Sequence, residues 1–512
     1  MSVLTLAEVI AKTRTEERGR VAVSYEGTEL TYAELEERAE RIAGSLAVAG
    51  FAKGDRVCVL MHTRTEWHEV FFALARLGGV LVPLNHLLTS HEIAYIVGDS
   101  GARWLVAEAA LWDKVEGLDP EVRDALTLVG AEAGHGQLDL PSLRAGDAAA
   151  PDTEVDGDDL FLLQYTSGTT GFPKGASHTH ATVMWNAISQ RQHFDISADT
   201  VYLCLPALSW VAGFHSLHLE TLWSGGRVVL APSNRSFDPR EFCATVEREG
   251  VTAVALVPTV LRLILGVADF DSFDLSSWSL AIAGGEAVPV NLLEEMAERL
   301  PELTGIQVYG MSEFPSLVTL LEPADAARKL GSAGRPNCVS QLRVVDADDI
   351  DCPPGTVGEI VTRSPATMIG YHAKPEATAA ALRGGWFHTG DLGHLDDEGF
   401  LYISGRSKDV IISGGLNIYP VEIEQALMRH EAVAEVAVIP VPDDRWGEIA
   451  KAVIVLEEGR TVDEEELRTS IEPFVARFKI PKAWRITDGP PLPKTASGKL
   501  QKFKLVEEEA AR

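Results

Sequence analysis

Residues 165–175 read Tyr-Thr-Ser-Gly-Thr-Thr-Gly-Phe-Pro-Lys-Gly, which puts four aliphatic hydroxyls (Thr166, Ser167, Thr169, Thr170), three glycines (Gly168, Gly171, Gly175) and Lys174 in one short stretch. Glycines let a backbone turn tightly and approach an anion, hydroxyls and N–H groups donate to phosphate oxygens, and the lysine adds a compact positive charge. The spacing is not that of a Walker loop, since no Gly-Lys-Ser/Thr occurs here. A flexible Gly/Ser/Thr turn is the plain alternative, and the hydroxyls and lysine weigh toward phosphate binding. Four more groups of a chemical type stand further along: Glu313 after Tyr309-Gly310-Met311-Ser312, Asp391 after Trp386-Phe387-His388-Thr389-Gly390, Arg406 and Lys408 in Gly405-Arg406-Ser407-Lys408-Asp409, and Lys499 at the end of Pro493-Lys494-Thr495-Ala496-Ser497-Gly498-Lys499. Taken singly, each also reads as a cap, a turn residue, a surface ion pair or a solvated lysine.

The elements that must position these groups follow a strand–helix rhythm. Thr31 and Glu34 form a capping box, Leu35, Ala39, Ile42 and Leu46 continue it as a helical stripe, and Gly50 ends it. Apolar strands are expected at Arg56–Leu60, Val80–Val82, Arg103–Val106, Arg227–Leu230, Val251–Val257 and Leu280–Ala283, with a helix over Glu66–Leu77. Such alternation predicts α/β layers with buried, largely parallel sheets. Ala145–Asp159, rich in Asp, Ala and Gly, reads as a surface linker. From about 335 to 405 short strands separated by Pro-Gly, Gly-Gly and Asp-Glu-Gly turns suggest a β-rich subdomain. The helix–strand rhythm then restarts, so a large N-terminal domain (1–407) and a small α+β C-terminal domain (408–512) are expected.

The chain has 512 residues, enough for about three folding units, with 46% hydrophobic and 23% charged residues. Its formal charge of −30 argues against a nucleic-acid partner, which needs a basic footprint. The five cysteines are scattered and form no Cys-x-x-Cys pair, so neither a zinc ribbon nor a disulfide framework is suggested. Met1–Glu17 has no apolar h-region, and Val251–Ala268 is broken by Pro258 and Arg262, short of a membrane span. A cytoplasmic protein, monomeric or homodimeric, is the expectation.

The motifs taken together resemble the adenylate-forming superfamily of acyl-CoA synthetases, peptide-synthetase adenylation domains and beetle luciferases. Tyr165–Gly175 resembles its phosphate loop, Gln307–Glu313 its Tyr-Gly-x-Thr-Glu element with Ser312 for Thr, Trp386–Asp391 its Thr-Gly-Asp element, Gly405–Asp409 its hinge and Pro493–Lys499 its C-terminal lysine motif, in the family's order from about Leu30 to Lys502. The resemblance implies that Thr166, Ser167, Gly168, Thr169, Thr170, Gly171 and Lys174 wrap the β- and γ-phosphates of ATP. It implies that Glu313 holds Mg²⁺ with Thr166 as partner, that Tyr309 stacks on adenine beside Gly310 and Ser312, and that Asp391 accepts from the ribose hydroxyls with Arg406 nearby. Lys499 would bridge the substrate carboxylate and the α-phosphate, and Gly284, Gly285, Glu286 and Ala287 would border the adenine and the acyl pocket. Lys499, Glu313, Thr166 and Lys174 form the implied catalytic set.

The family's second step uses coenzyme A and a domain rotation, here about Lys408, which would bring Ser413, Gly414 and Gly415 to the site; a plain β-turn is the alternative there. Trp446, Phe478 and Lys482 match positions where related aryl-CoA ligases hold the CoA nucleotide; core aromatics and a solvated lysine are the alternatives. The acyl pocket is expected from Trp210, Val211, Phe214, Gly284, Met311, Phe314 and Pro315, an almost wholly apolar set that suits an uncharged acyl body. Two departures stand out. Trp210 takes the place of a family histidine when Pro206–Gly213 is aligned on Gly213, and Leu87 and Ile480 stand where related aryl ligases carry arginines. The implied activity is that of a carboxylate–CoA ligase for a lipophilic acid, medium-chain, alicyclic or aromatic. The alternatives are a stand-alone enzyme that loads a carrier protein and a non-catalytic nucleotide-binding scaffold.

Overall fold

A computed structural model of the protein describes residues 5–11, 18–166, 173–285, 288, 290–494 and 500–510. Two large sheets dominate. In the eight-stranded sheet the order is Gly370–Tyr371, Lys174–Thr179, Leu160–Thr166, Val80–Pro83, Arg56–Leu60, Trp104–Ala107, Thr127–Gly130, Leu138–Asp139. In the nine-stranded sheet it is Arg335–Pro336, Phe314–Leu321, Thr304–Met311, Leu280–Gly284, Ala253–Leu256, Val201–Cys204, Arg227–Leu230, Val21–Tyr25, Thr28–Thr31. The inner strands pair in parallel, as uninterrupted apolar strands do when both faces are covered, whereas hairpins at the edges are antiparallel. A core shared by both sheets is centred on Phe71, whose ring stacks on Phe214 at 4.2 Å and meets Phe161 edge-on at 4.8 Å.

Local signals place the first helices. The helix Tyr32–Val48 opens with the expected capping box at Thr31 and buries Leu35, Ala39, Ile42 and Leu46. Such a cap stabilises by about 1 kcal/mol, and each buried leucine by about 1.5–3 kcal/mol. The helix Glu66–Leu77 stops at Gly78, which is left-handed. The expected linker is irregular but closely applied to the fold. At Gly44, in mid-helix, a Cβ would lie 2.0 Å from the Ala148 carbonyl oxygen, so only glycine lets the linker lie against the helix there.

Beyond residue 340 two smaller sheets appear. Gln341–Val345, Gly358–Arg363, Phe387–Leu395 and Leu401–Arg406 form an antiparallel four-stranded sheet within the expected β-rich stretch. Two short strands of that stretch leave it, Arg335–Pro336 for the nine-stranded sheet and Gly370–Tyr371 for the eight-stranded one. From Ile411 onward a five-stranded sheet with the helices Pro420–Leu427, Glu464–Ile471 and Lys502–Ala510 forms a small α+β unit with its own core around Ile423, Val438, Ile454 and Leu467. No helix of the described residues is long and apolar enough to cross a membrane.

Candidate active site

The phosphate-loop candidate connects two antiparallel strands, Leu160–Thr166 and Lys174–Thr179, with Thr166 opposite Lys174 at its base. A Walker loop joins a strand to a helix, so this hairpin bears out the departure in spacing. Ser167, Gly168, Thr169, Thr170 and Gly171 lie outside the described residues. The base of the loop is anchored on both sides: the Tyr165 hydroxyl donates to Asp99 Oδ2 (2.8 Å), and the Tyr95 hydroxyl donates to the Pro173 carbonyl (3.1 Å). Burial and the Asp99 carboxylate push the Tyr165 phenol far up, so it stays a donor.

Glu313 stands at the tip of a second hairpin. Strands Thr304–Met311 and Phe314–Leu321 are joined by Ser312 and Glu313, so the half-buried run Tyr309, Gly310, Met311 leads straight into the turn. His178, on the loop's outgoing strand, donates through Nε2 to the Ser312 carbonyl (2.8 Å) and thereby ties the turn to the other large sheet. Burial holds this imidazole down at about 4, so it is neutral, and a carbonyl partner requires the proton on Nε2. Glu313 Oε1 accepts from the Tyr371 hydroxyl (2.9 Å), and Lys174 Nζ lies 5.3 Å from the centre of the Tyr371 ring.

The third contribution comes from the four-stranded sheet, where Asp391 sits opposite Arg406. The Tyr309 hydroxyl donates to Asp391 Oδ2 (2.7 Å), and Arg406 Nε lies 3.2 Å from Asp391 Oδ1. Burial and the Asp391 charge push the Tyr309 phenol well up. Each carboxylate oxygen carries two lone pairs, so Asp391 keeps capacity to accept from ribose hydroxyls while these partners orient it. Tyr309, expected only as a stacking ring, is therefore also a tether between two sheets.

In the small unit, Ser413 pairs with Leu416, and Gly414-Gly415 make the two-residue turn at φ of 60° and 80°. This is a tight hairpin turn, the plain alternative for the segment, but it is more than a turn. A Cβ on Gly414 would lie 2.5 Å from Trp446 Cε3, and Lys482 Nζ sits 4.0 Å from the Trp446 ring centre. Trp446 and Phe478 are 37% and 42% exposed, so neither is a core aromatic. Lys408 is exposed in the short 3-10 turn Ser407–Asp409 between the four-stranded and five-stranded sheets. Lys499, Glu286 and Ala287 lie outside the described residues.

The pocket candidates divide. Trp210, Val211, Met311 and Gly284 are half-buried, and the Trp210 Nε1 donor is buried with no partner among the described residues. Gly285 follows at the exposed end of the strand Leu280–Gly284. Phe214 (2% exposed) and Phe314 (0%) are corrected from pocket lining to core: Phe214 is stacked between Phe71 and His218, and Phe314 packs on Phe387. Side chains that sequence reasoning missed are Tyr371, His178 and Asp99. It also missed a fully buried pair under the Trp210–Gly213 segment, in which His68 and His218 meet Nε2 to Nε2 at 2.7 Å while His218 Nδ1 lies 3.0 Å from the Gly213 carbonyl. No spacing rule marks these residues, because their partners lie far away along the chain.

The donor set fits a nucleoside triphosphate and its metal. Among the described residues no cluster of three or more His, Cys, Asp or Glu side chains is built to hold a metal. Mg²⁺ needs none when it binds through phosphates and one or two carboxylates, a role Glu313 can fill.

Comparison with known proteins gives the family and agrees with the fold. Residues 10–372 match the AMP-binding enzyme family and residues 422–499 match the AMP-binding enzyme C-terminal domain. A feruloyl-CoA synthase of Amycolatopsis sp is 40% identical over 483 residues, 94% of this chain and 94% of that protein. An indoleacetate–CoA ligase of Aromatoleum aromaticum is 38% identical, covering 98% of this chain and 97% of its own. Among solved structures, an anthranilate–CoA ligase in complex with anthranoyl-AMP superposes with a TM-score of 0.92 at 26% identity, over 100% of this chain and 99% of that one. The chain belongs to the family of AMP-binding enzymes. Its fold is that of the adenylate-forming enzymes, and it is an acid–thiol ligase of the AMP-forming class, which works with ATP, Mg²⁺ and coenzyme A.

Proposed function

We propose that the protein is a carboxylate–CoA ligase acting on a lipophilic acid, with an aromatic or alicyclic body favoured. The observation that carries this is the convergence of three sheets on one hairpin: Glu313 with Tyr371 and Lys174 on one side, and Tyr309 with Asp391 and Arg406 on the other. In the first step a carboxylate oxygen of the acid attacks the α-phosphorus of ATP and pyrophosphate leaves. Two anions must meet, so catalysis depends on preorganised positive charge. Lys174 and the loop would hold the outgoing phosphates, Asp391 and Arg406 the ribose, Tyr309 the adenine, and Lys499 the approaching carboxylate. Mg²⁺, met by Glu313, would neutralise charge on the phosphate oxygens.

In the second step the CoA sulfur attacks the acyl carbon and AMP leaves. The chain would turn about Lys408, between an N-terminal domain (1–407) and a C-terminal one (408–512), to present Ser413, Gly414 and Gly415. The exposed Trp446 and Lys482 beside that turn support a site for a flat, anionic nucleotide. For the acid, the half-buried Trp210, Val211 and Met311 offer apolar surface without a carboxylate for an ammonium group, and the feruloyl and indoleacetate ligases among the relatives point the same way.

The test is incubation with ATP, Mg²⁺ and a panel of aryl, alicyclic and medium-chain acids, with and without CoA, following pyrophosphate, AMP and thioester. Thioester formed only with CoA is expected. Adenylation that ignores CoA and proceeds to a carrier protein would replace this reading with a carrier loader, and silence across the panel would leave a nucleotide-binding scaffold.

A further inference from the structure

The segment Met368–Lys374 straps together the parts that must act on the triphosphate. The Met368 N–H donates to the Glu313 carbonyl (2.8 Å), the Ile369 N–H to the Ser177 carbonyl (2.9 Å) and the His372 N–H to the Gly175 carbonyl (2.8 Å). Lys374 Nζ pairs with Asp99 Oδ1 at 2.5 Å, the carboxylate that also accepts from Tyr165 at the base of the phosphate loop. At the centre is Tyr371, paired with Ala176 in the sheet. Its hydroxyl donates to Glu313 Oε1 at 2.9 Å, and its ring faces Lys174 Nζ at 5.3 Å. One aromatic side chain therefore touches both the metal-binding carboxylate and the phosphate-binding ammonium.

The chemistry of each contact has a direction. A phenol that donates to one carboxylate oxygen stops the group from rotating and leaves the other oxygen for a metal. An ammonium over an aromatic face is held without its charge being neutralised, so it remains available to phosphate. A carboxylate oxygen can only accept, so the Tyr371 hydroxyl is the donor in this contact. Hydrogen bonds to metal-binding carboxylates typically matter by about 10–100-fold in metal affinity or activity.

We propose that Tyr371 is a positioning residue for adenylation, holding the Glu313 carboxylate and the Lys174 ammonium in one register before Mg·ATP arrives. The proposal rests on the roles given above to Glu313 and Lys174. Tyr371→Phe removes the hydroxyl and keeps the ring. The half-saturating Mg²⁺ concentration for ATP–pyrophosphate exchange should rise about tenfold, with a much smaller fall in the rate at saturating Mg²⁺. Mn²⁺ bound in the ATP complex, followed by its electron paramagnetic resonance, should loosen in parallel, and ATP binding without metal should not change. In a Glu313→Gln background Tyr371→Phe should add no further loss of Mn²⁺ binding, because its hydroxyl acts through that carboxylate. An unchanged Mg²⁺ dependence, with or without a lower melting temperature, would overturn the proposal, as would an equal loss in both backgrounds. If the unaltered protein shows no Mg²⁺-dependent exchange or ATP binding, the reading of the whole site falls and the proposal with it. If it responds and Tyr371→Phe matches it, the proposal alone falls.

Discussion

The nucleotide site and the Gly414 face of the small C-terminal unit are built on opposite plans. At the nucleotide site Glu313, Asp391 and the Ser312 carbonyl each already have a partner from another sheet, Tyr371, Tyr309 and His178 in turn, and Asp391 has Arg406 from its own. At the Gly414 face the residues are exposed, and among the described residues their contacts lie within their own unit, with Trp446 between Gly414 and Lys482. On the function proposed above, the difference would let one site serve two reactions. Charge stabilisation at a phosphorus centre needs dipoles and charges set in advance, whereas positioning a long flexible thiol needs a surface that can arrive later.

The largest expected effect would split the two plans by a single residue. Lys499→Ala should slow adenylation on the order of 100-fold or more, as loss of an oriented transition-state donor does, and should largely spare thioester formation from supplied acyl-adenylate. Equal loss in both half-reactions would erase the contrast. Next is Asp391→Ala, which strands the Tyr309 hydroxyl and Arg406. ATP affinity should fall about tenfold or more, and stability should drop by about 1–3 kcal/mol, read by calorimetry and denaturant unfolding. A smaller and mirror-image effect is expected of Gly414→Ala. Its φ of 60° and the 2.5 Å approach of Trp446 penalise any side chain, so the thioester step should slow severalfold while pyrophosphate exchange stays intact. Trp446→Ala should be milder still, raising KM for CoA a few-fold, since an exposed cation–π contact contributes about 0.5–1 kcal/mol.

A pH experiment sharpens the comparison from the core side. Glu220 is fully buried, neither of its side-chain oxygens has a hydrogen-bond partner among the described residues, and burial pushes it from 4.5 up to about 8. Between those values the folded chain binds more protons than the unfolded one, so this group's contribution is whole below about pH 4.5 and is lost as pH rises toward 8. Glu220→Gln should flatten that decline, visible as a smaller difference in unfolding free energy between pH 5 and pH 8, while pyrophosphate exchange at pH 7 is retained. A variant with the same pH slope as the parent would show that the carboxyl is ionised in the fold.

Much of the scaffold was legible because its signals are local. The Thr31–Glu34 cap, the stripe from Leu35 to Leu46 and the helix Glu66–Leu77 rest on contacts within a few turns of chain, and all appear as read. The strands Arg56–Leu60 and Arg227–Leu230 are equally direct, being apolar runs bounded by polar and glycine residues. The pocket was read less well. Phe214 and Phe314 look from their neighbours like wall residues, yet the sheets close over both. Exposure of Trp446 and Phe478 was likewise undecidable from an aromatic letter alone.

The amino-acid order by itself determined the kinds of groups available: a glycine- and hydroxyl-rich turn ending in Lys174, acids at 313 and 391, and cations at 406, 408 and 499. Only the tertiary structure decided which of them share a partner. Tyr371 reaches Glu313 across 58 positions, Tyr309 reaches Asp391 across 82, and His68 reaches His218 across 150. Caps and stripes report on contacts between near neighbours in the chain. A hydrogen bond between sheets depends on how whole layers stack, and that is the sum of buried area over many elements, which no short run of residues encodes.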